Sequence, residues 1–160
     1  MSAAVLSASE ICNCFAVRSA ARHVTQLYDQ FLAPSGLRTT QYSMLSRLKR
    51  LGPLTINALA EEMVMDRTTL GRNILPLARD GLVRIEPTPS DRRAKEVRLT
   101  AAGERRLESA RKGWSAAQAR FETAFGAKRA ADLRATLRAV TASEFAPSDP
   151  VAKLARPGRR

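Results

Sequence analysis

From Cys14 onward, apolar side chains recur at steps of three and four. Cys14, Val17, Ala21, Val24, Tyr28 and Phe31 share one face of a predicted helix over about residues 9–33. Pro34 and Gly36 end it. The same period runs from Thr40 to Leu51, with Tyr42, Leu45 and Leu48 inward, until Gly52-Pro53 stops it. Thr55 is suited to cap a short third helix, Ile56 to Met63, that turns Leu59 and Met63 inward. Asp66 is suited to cap a fourth. Along it Leu70, Ile74, Leu77, Ala78 and Gly81 fall on one side. Thr68, Arg72 and Arg79 fall on the other, with Thr69 and Pro76 flanking them, Asn73 nearer the side and Arg67 towards the buried edge. Pro76 removes one helical hydrogen bond, which predicts a bend costing ~3 kcal/mol if nothing compensates. Gly81 suits the helix end.

Past Gly81 the period shortens. Leu82 to Glu86 and Glu96 to Leu99 read as extended, and Pro87, Pro89, Ser90 and Asp91 between them favour a turn. This is a two-stranded hairpin with a basic tip. Thr100 then caps a long helix in which Leu107, Ala110, Trp114, Ala117, Phe121 and Ala124 approach a heptad seam. A last helix, about Lys128 to Ser143, carries Leu133, Leu137 and Val140. Residues 145–160, rich in proline and basic side chains, read as a disordered basic tail.

The predicted fold is therefore mainly α with a small β-hairpin wing. One domain covers residues 1–144. A winged helix-turn-helix spans about 40–100, and helices at about 9–33 and 104–144 form a dimerisation region. These flanking helices carry more apolar surface than the small centre can cover, which points to a second copy of the chain.

Charge sharpens the picture. The 160 residues hold 27 Lys and Arg against 15 Asp and Glu, a net charge of +12, which favours a polyanionic partner. No stretch approaches the roughly 18 apolar residues of a membrane-spanning helix. Met1 to Leu6 lacks the basic and apolar regions of a signal peptide, so a cytoplasmic location and no membrane partner are expected. Cys12 and Cys14 make no secreted-type disulfide framework. They point to different helix faces, and with His23, the one histidine, they lack a fourth ligand, so no metal or cofactor is expected. No catalytic triad, carboxylate pair or phosphate loop is present, which argues against an enzyme.

The polyanion that fits is double-stranded DNA. Thr68, Thr69 and Arg72 point outward from the first turns of the fourth helix, with Asn73 beside them. Arginine can bridge guanine O6 and N7, and threonine can offer its hydroxyl to a base or its methyl to thymine. Arg92 and Arg93 at the hairpin tip can enter a narrow minor groove, Asp91 can shape the turn and orient an arginine, and Lys95 can meet a phosphate.

From about Phe15 to Phe125 the chain resembles the MarR family of winged-helix transcriptional regulators. The resemblance is carried by Tyr28 with Leu32-Ala33-Pro34-Ser35-Gly36-Leu37, by Gln41-Tyr42 and Leu59-Ala60, and by Asp66-Arg67-Thr68-Thr69-Leu70. It continues through Leu77, Asp80-Gly81-Leu82-Val83, Asp91-Arg92-Arg93, Leu99-Thr100 and Gly103. It implies a homodimer on a pseudo-palindromic operator, usually a repressor, with Arg93 as the minor-groove residue. It also implies release by a phenolic or other small lipophilic ligand near the first, second and fifth helices. Tyr28, Tyr42, Arg18, His23 and Trp114 are the candidates there.

Around Cys14-Phe15-Ala16-Val17, Arg22, Thr25 and Tyr28 the chain is also similar to the organic-hydroperoxide-sensing branch, in which the cysteine is the reactive group. A helix N-terminus and nearby Arg18 would favour its thiolate. Cys14 and Tyr28 of one copy are about 21 Å apart along a helix, so they could meet only across an antiparallel dimer. Thr39 stands where that branch has a second tyrosine. Three alternatives follow: a ligand-released repressor, a peroxide-sensing repressor, and a non-specific architectural DNA binder.

Overall fold

The structure, a computed structural model, describes residues 11–88 and 94–143. Its elements are α1 (Asn13–Leu32), a 3₁₀ turn (Ala33–Ser35), α2 (Thr39–Leu51), β1 (Leu54–Thr55) and α3 (Ile56–Glu62). They continue with α4 (Arg67–Arg79), β2 (Val83–Pro87), β3 (Lys95–Leu99), α5 (Ala101–Phe125) and α6 (Ala127–Ala142).

Side-chain caps set several of these starts. Thr55 Oγ1 accepts the Ala58 amide at 3.1 Å, Asp66 Oδ1 the Thr69 amide at 2.8 Å, and Thr100 Oγ1 the Gly103 amide at 3.0 Å. Cys12 caps α1 less strongly, its Sγ accepting the Phe15 amide at 3.4 Å. The start of α2 is held from outside. Asp29 on α1 accepts both the amide and the hydroxyl of Thr39, each at 2.7 Å. Partial burial pushes the Asp29 carboxyl up, but the Thr39 bonds and the charge of Arg38 outweigh it and hold it below its ordinary 3.8.

A folded-state value below the unfolded one means a stabilisation that is complete above pH 3.8 and lost as acid takes the pH through the lower folded value. Asp29→Ala is therefore expected to cost about 1–2 kcal/mol at neutral pH by leaving the Thr39 amide without its acceptor. Urea unfolding of both proteins should show that gap closing below about pH 4.

The sheet has the order β1-β3-β2 and is antiparallel throughout, with Leu54 opposite Val97, and Val83, Ile85 and Pro87 opposite Leu99, Val97 and Lys95. The expected hairpin thus gains a third strand. Leu54-Thr55 is too short to show a period of two, and Thr55 both closes the strand and caps α3. Leu45, Leu48, Leu59, Leu70, Ile74, Leu77, Val83 and Val97 form the core, joined by Leu32 at the end of α1 and Ala110 of α5.

Two units are distinguished, one ending at Ala119 and one beginning at Arg120. In the second, the Phe121 and Phe125 rings meet in a tilted pair, Arg129 lies over the Phe125 ring at 4.3 Å, and Arg134 bridges Glu122 at 3.1 Å.

Cys14, Val17 and Ala21 of the predicted α1 stripe are exposed in this single chain; α1 reaches the core through its C-terminal half, where Val24, Tyr28 and Phe31 are half-buried and Leu32 is buried. Two expectations are corrected. Arg67 is exposed rather than at the buried edge. Gly81 is exposed rather than packed.

Gly81 does not pack because it serves the chain reversal after α4. At φ +71° its amide donates to Ala78 O at 3.0 Å, and that of Leu82 to Leu77 O at 2.9 Å. The same pair of bonds ends α3, from Val64 to Glu61 O at 3.0 Å and from Met65 to Ala60 O at 2.8 Å. There the left-handed position holds a valine, φ +52°, a residue 75% exposed. A β-branched residue is strained in that region, and its exposed side chain gains no packing in return. Val64→Asn, which tolerates the conformation, is expected to raise stability by about 1 kcal/mol. The urea midpoint should rise with an unchanged slope.

Candidate nucleic-acid interface

The candidate interface centres on α4, whose inward residues Leu70, Ile74 and Leu77 are anchored in the core. Asp66 fixes the N-terminal turn. Besides the Thr69 amide it accepts the Thr69 hydroxyl at 2.6 Å, and these bonds hold its carboxyl below the ordinary value. Thr69 therefore has its hydroxyl proton engaged in the cap. Asn73 turns its Nδ2 back to Thr69 O at 2.8 Å. Of the residues expected to touch bases, Thr68 and Arg72 are exposed on the outer stripe, Thr69 is exposed but tied to Asp66, and Asn73 is half-buried.

The outer stripe holds one residue that sequence reasoning missed. Thr68, Arg72, Leu75 and Arg79 follow at steps of four, three and four, and all are exposed. Leu75 is 61% exposed. Its spacing from Thr68 is the signal that marks it, masked by residue type, because leucine in an amphipathic helix is ordinarily an inward residue.

Lys95 is exposed at the start of β3, and the Thr88 amide donates to Ala94 O at 2.9 Å where the two strands separate. Asp91, Arg92 and Arg93 lie outside the described residues. Arg84 and Arg98, an exposed cross-strand pair not singled out from sequence, add positive charge to the strands, with Arg98 bridging Glu96 at 2.6 Å.

A cavity of about 730 Å³ opens between α2 and α5. Tyr42 and Trp114 stack in its wall, ring centroids 6.0 Å apart and planes within 12°. Arg47, Lys49, Arg50, Arg105 and Arg111 make its lining mainly cationic, against Glu104 and Glu108. Burial pushes the Tyr42 phenol up, Arg111 pulls it down and Glu108 adds a rise, for a net increase.

Of the five expected effector residues only Tyr42 and Trp114 line this cavity; Arg18, His23 and Tyr28 do not. Those three lie on α1. The Tyr28 hydroxyl donates to Gln118 Oε1 of α5 at 2.5 Å, and Arg18 and His23 are exposed. Cys14 is exposed in the first turn of α1. Among the described residues no group of His, Cys, Asp and Glu is placed to hold a metal ion, and no helix is long and apolar enough to cross a membrane.

A recognition helix seated on a three-helix core beside a β wing defines the class of winged helix-turn-helix DNA-binding regulators. Residues 37–95 match the sequence model of the MarR family. The solved structure of the M. tuberculosis transcriptional regulator MosR in complex with DNA is 37% identical, covering 82% of this chain and 97% of that one, with a TM-score of 0.71. CouR from Rhodococcus jostii RHA1, bound to p-coumaroyl-CoA, is 25% identical over 88% of this chain and 99% of its own, with a TM-score of 0.70. BpsR of Bordetella bronchiseptica, whose DNA binding is regulated by 6-hydroxynicotinic acid, shares the fold at 20% identity and a TM-score of 0.75, covering 88% of this chain and 99% of that one. A comparison with curated proteins gave no match. The chain belongs to the MarR family of DNA-binding transcriptional regulators.

Proposed function

We propose that the chain is a sequence-specific repressor that binds a pseudo-palindromic operator as a homodimer and is released by a small aromatic, acidic ligand. The observation that carries this reading is the exposed Thr68–Arg72 pair on a helix whose opposite face is locked in the core. A rigid helix presenting one Thr and one Arg at adjacent turns can read base edges, whereas a packaging protein needs only phosphate contacts. Thr69 adds a methyl and Asn73 a flank. Lys95 would meet a phosphate, and Arg92 and Arg93, oriented by Asp91, would reach the minor groove. Phe15 and Val17 on α1, and Leu137 and Val140 on α6, are exposed apolar groups that a second copy would cover.

The α2–α5 cavity supports the ligand half of the reading. Stacked Tyr42 and Trp114 offer an aromatic wall, and a ligand carboxylate would meet Arg105 or draw on Arg47 and Arg50, which share Glu62, and Arg111, which pairs with Glu108. A ligand there would act by changing the spacing of the two reading helices.

The test is selection of duplexes from a randomised pool. The expected product is a pseudo-palindrome bound at least ~10³-fold more tightly than random DNA at physiological salt, and a ratio near one would instead mean an architectural binder.

A second reading rests on the exposure of Cys14 in the first turn of α1. Its thiolate would attack the distal oxygen of an organic hydroperoxide. The O–O bond breaks, an S–O bond forms, and the alkoxide takes a proton and leaves as the alcohol. Loss of DNA binding on cumene hydroperoxide treatment in the wild type but not in Cys14→Ser would select this reading over the ligand.

A further inference from the structure

We propose that Leu75 reads a thymine 5-methyl group in the major groove, making it a specificity residue beside Thr68 and Arg72. The inference rests on α4 being the base-reading helix.

Three observations converge on it. The first is exposure. Leu75 is 61% exposed, while its neighbours Ile74 and Leu77 are 1% and 0% exposed, so the helix is fully seated without it. The second is phase. At about 100° per residue, Leu75 lies about 20° from Thr68 and about 60° from Arg72, and the buried Leu70 and Leu77 lie about 160° and 180° from Thr68. Leu75 is also about 4.5 Å further along the helix than Arg72, within the span that a helix in the groove presents to neighbouring base pairs. The third is chemistry. Arg72 and Arg79 flank Leu75 on the stripe. A leucine can neither accept nor donate a hydrogen bond, so phosphates and the polar base edges give it nothing. The 5-methyl of thymine is the apolar group that bases display in the major groove.

The probe is the duplex that wild-type protein selects from a randomised pool. It is remade with uracil in place of thymine at one position at a time, which removes the methyl group alone. One such replacement is expected to weaken wild-type binding roughly fourfold, the worth of one buried methyl. The same replacement should leave Leu75→Ala binding unchanged, and Leu75→Ala should match the wild type in thermal stability.

Equal uracil penalties in both proteins would overturn the inference, as would wild-type affinity in Leu75→Ala. A Leu75→Ala loss that is the same on thymine and uracil duplexes would place the side chain against deoxyribose and also overturn it. A pool that enriches no duplex would remove the base-reading role of α4 itself, and Leu75 with it. That outcome is distinct from an enriched duplex indifferent to uracil.

Discussion

Gly103→Ala is expected to destabilise the fold by about 3 kcal/mol, the upper part of the range for overpacked sites. A Cβ at this position would stand 2.1 Å from Leu82 O, 2.7 Å from Leu99 Cδ1 and 3.0 Å from the Leu82 carbonyl carbon. The first and last of these are backbone, which cannot swing aside like the end of a side chain. The surroundings are also tied. Leu82 O accepts the Thr100 amide at 3.1 Å, and the Thr100 hydroxyl reaches Gly81 O at 2.7 Å while accepting the Gly103 amide at 3.0 Å. The end of α4, the start of β2 and the first turn of α5 meet at this point. Relief of the clash therefore requires α5 to move away from the motif that carries the interface.

The sign of the effect makes the test decisive. A glycine of no special role in a helix should gain up to about 1 kcal/mol on conversion to alanine. Gly71 of α4 is such a control, because a Cβ there would have no neighbouring atom within 4 Å. Urea unfolding should then show Gly71→Ala at or above the wild type and Gly103→Ala well below it. Stabilisation by both would mean that α5 is not seated as described. Gly113 should behave like Gly103, since its Cβ would lie 2.4 Å from Phe31 O at the end of α1.

Why some of this is legible in sequence and some is not follows from range. Thr55, Asp66 and Thr100 can be read as caps because a cap acts on an amide three residues away. The inward phase of Leu70, Ile74 and Leu77 is likewise written in their spacing. Long-range contacts leave no such trace. Asp29 capping α2 from α1, Leu54 pairing with Val97, and Gly113 seated against Phe31 each join residues whose partnership has no local pattern. The stripe Cys14, Val17 and Ala21 is periodic but uncovered in one chain, because periodicity marks a face without naming what meets it.

The site divides in the same way. Exposure of Thr68 and Arg72 follows from phase, whereas the hydrogen bonds that engage Thr69 and Asn73 depend on rotamers that spacing does not specify. Leu75 escapes a reading that weighs residue type above phase.

Arg72→Ala is expected to have the largest effect on DNA binding, a loss of about 1–3 kcal/mol on the selected duplex, or roughly 5- to 150-fold. The side chain is exposed and distant in phase from the core residues of α4, so the thermal midpoint should not move. Arg79 provides the comparison. It lies on the same stripe in the last turn and is paired with Asp80 at 3.4 Å. We expect Arg79, at the far end of the stripe, to meet phosphate rather than a base, and a guanidinium on phosphate adds affinity to any sequence, so Arg79→Ala should weaken selected and random duplexes alike. Arg72→Ala should instead weaken the selected duplex more than random DNA and relax preference at one base pair, where a bidentate guanine contact is lost. Salt titrations on both duplexes separate the cases. A parallel drop on selected and random DNA in Arg72→Ala would make this residue a phosphate anchor and leave base reading to Thr68 and the wing.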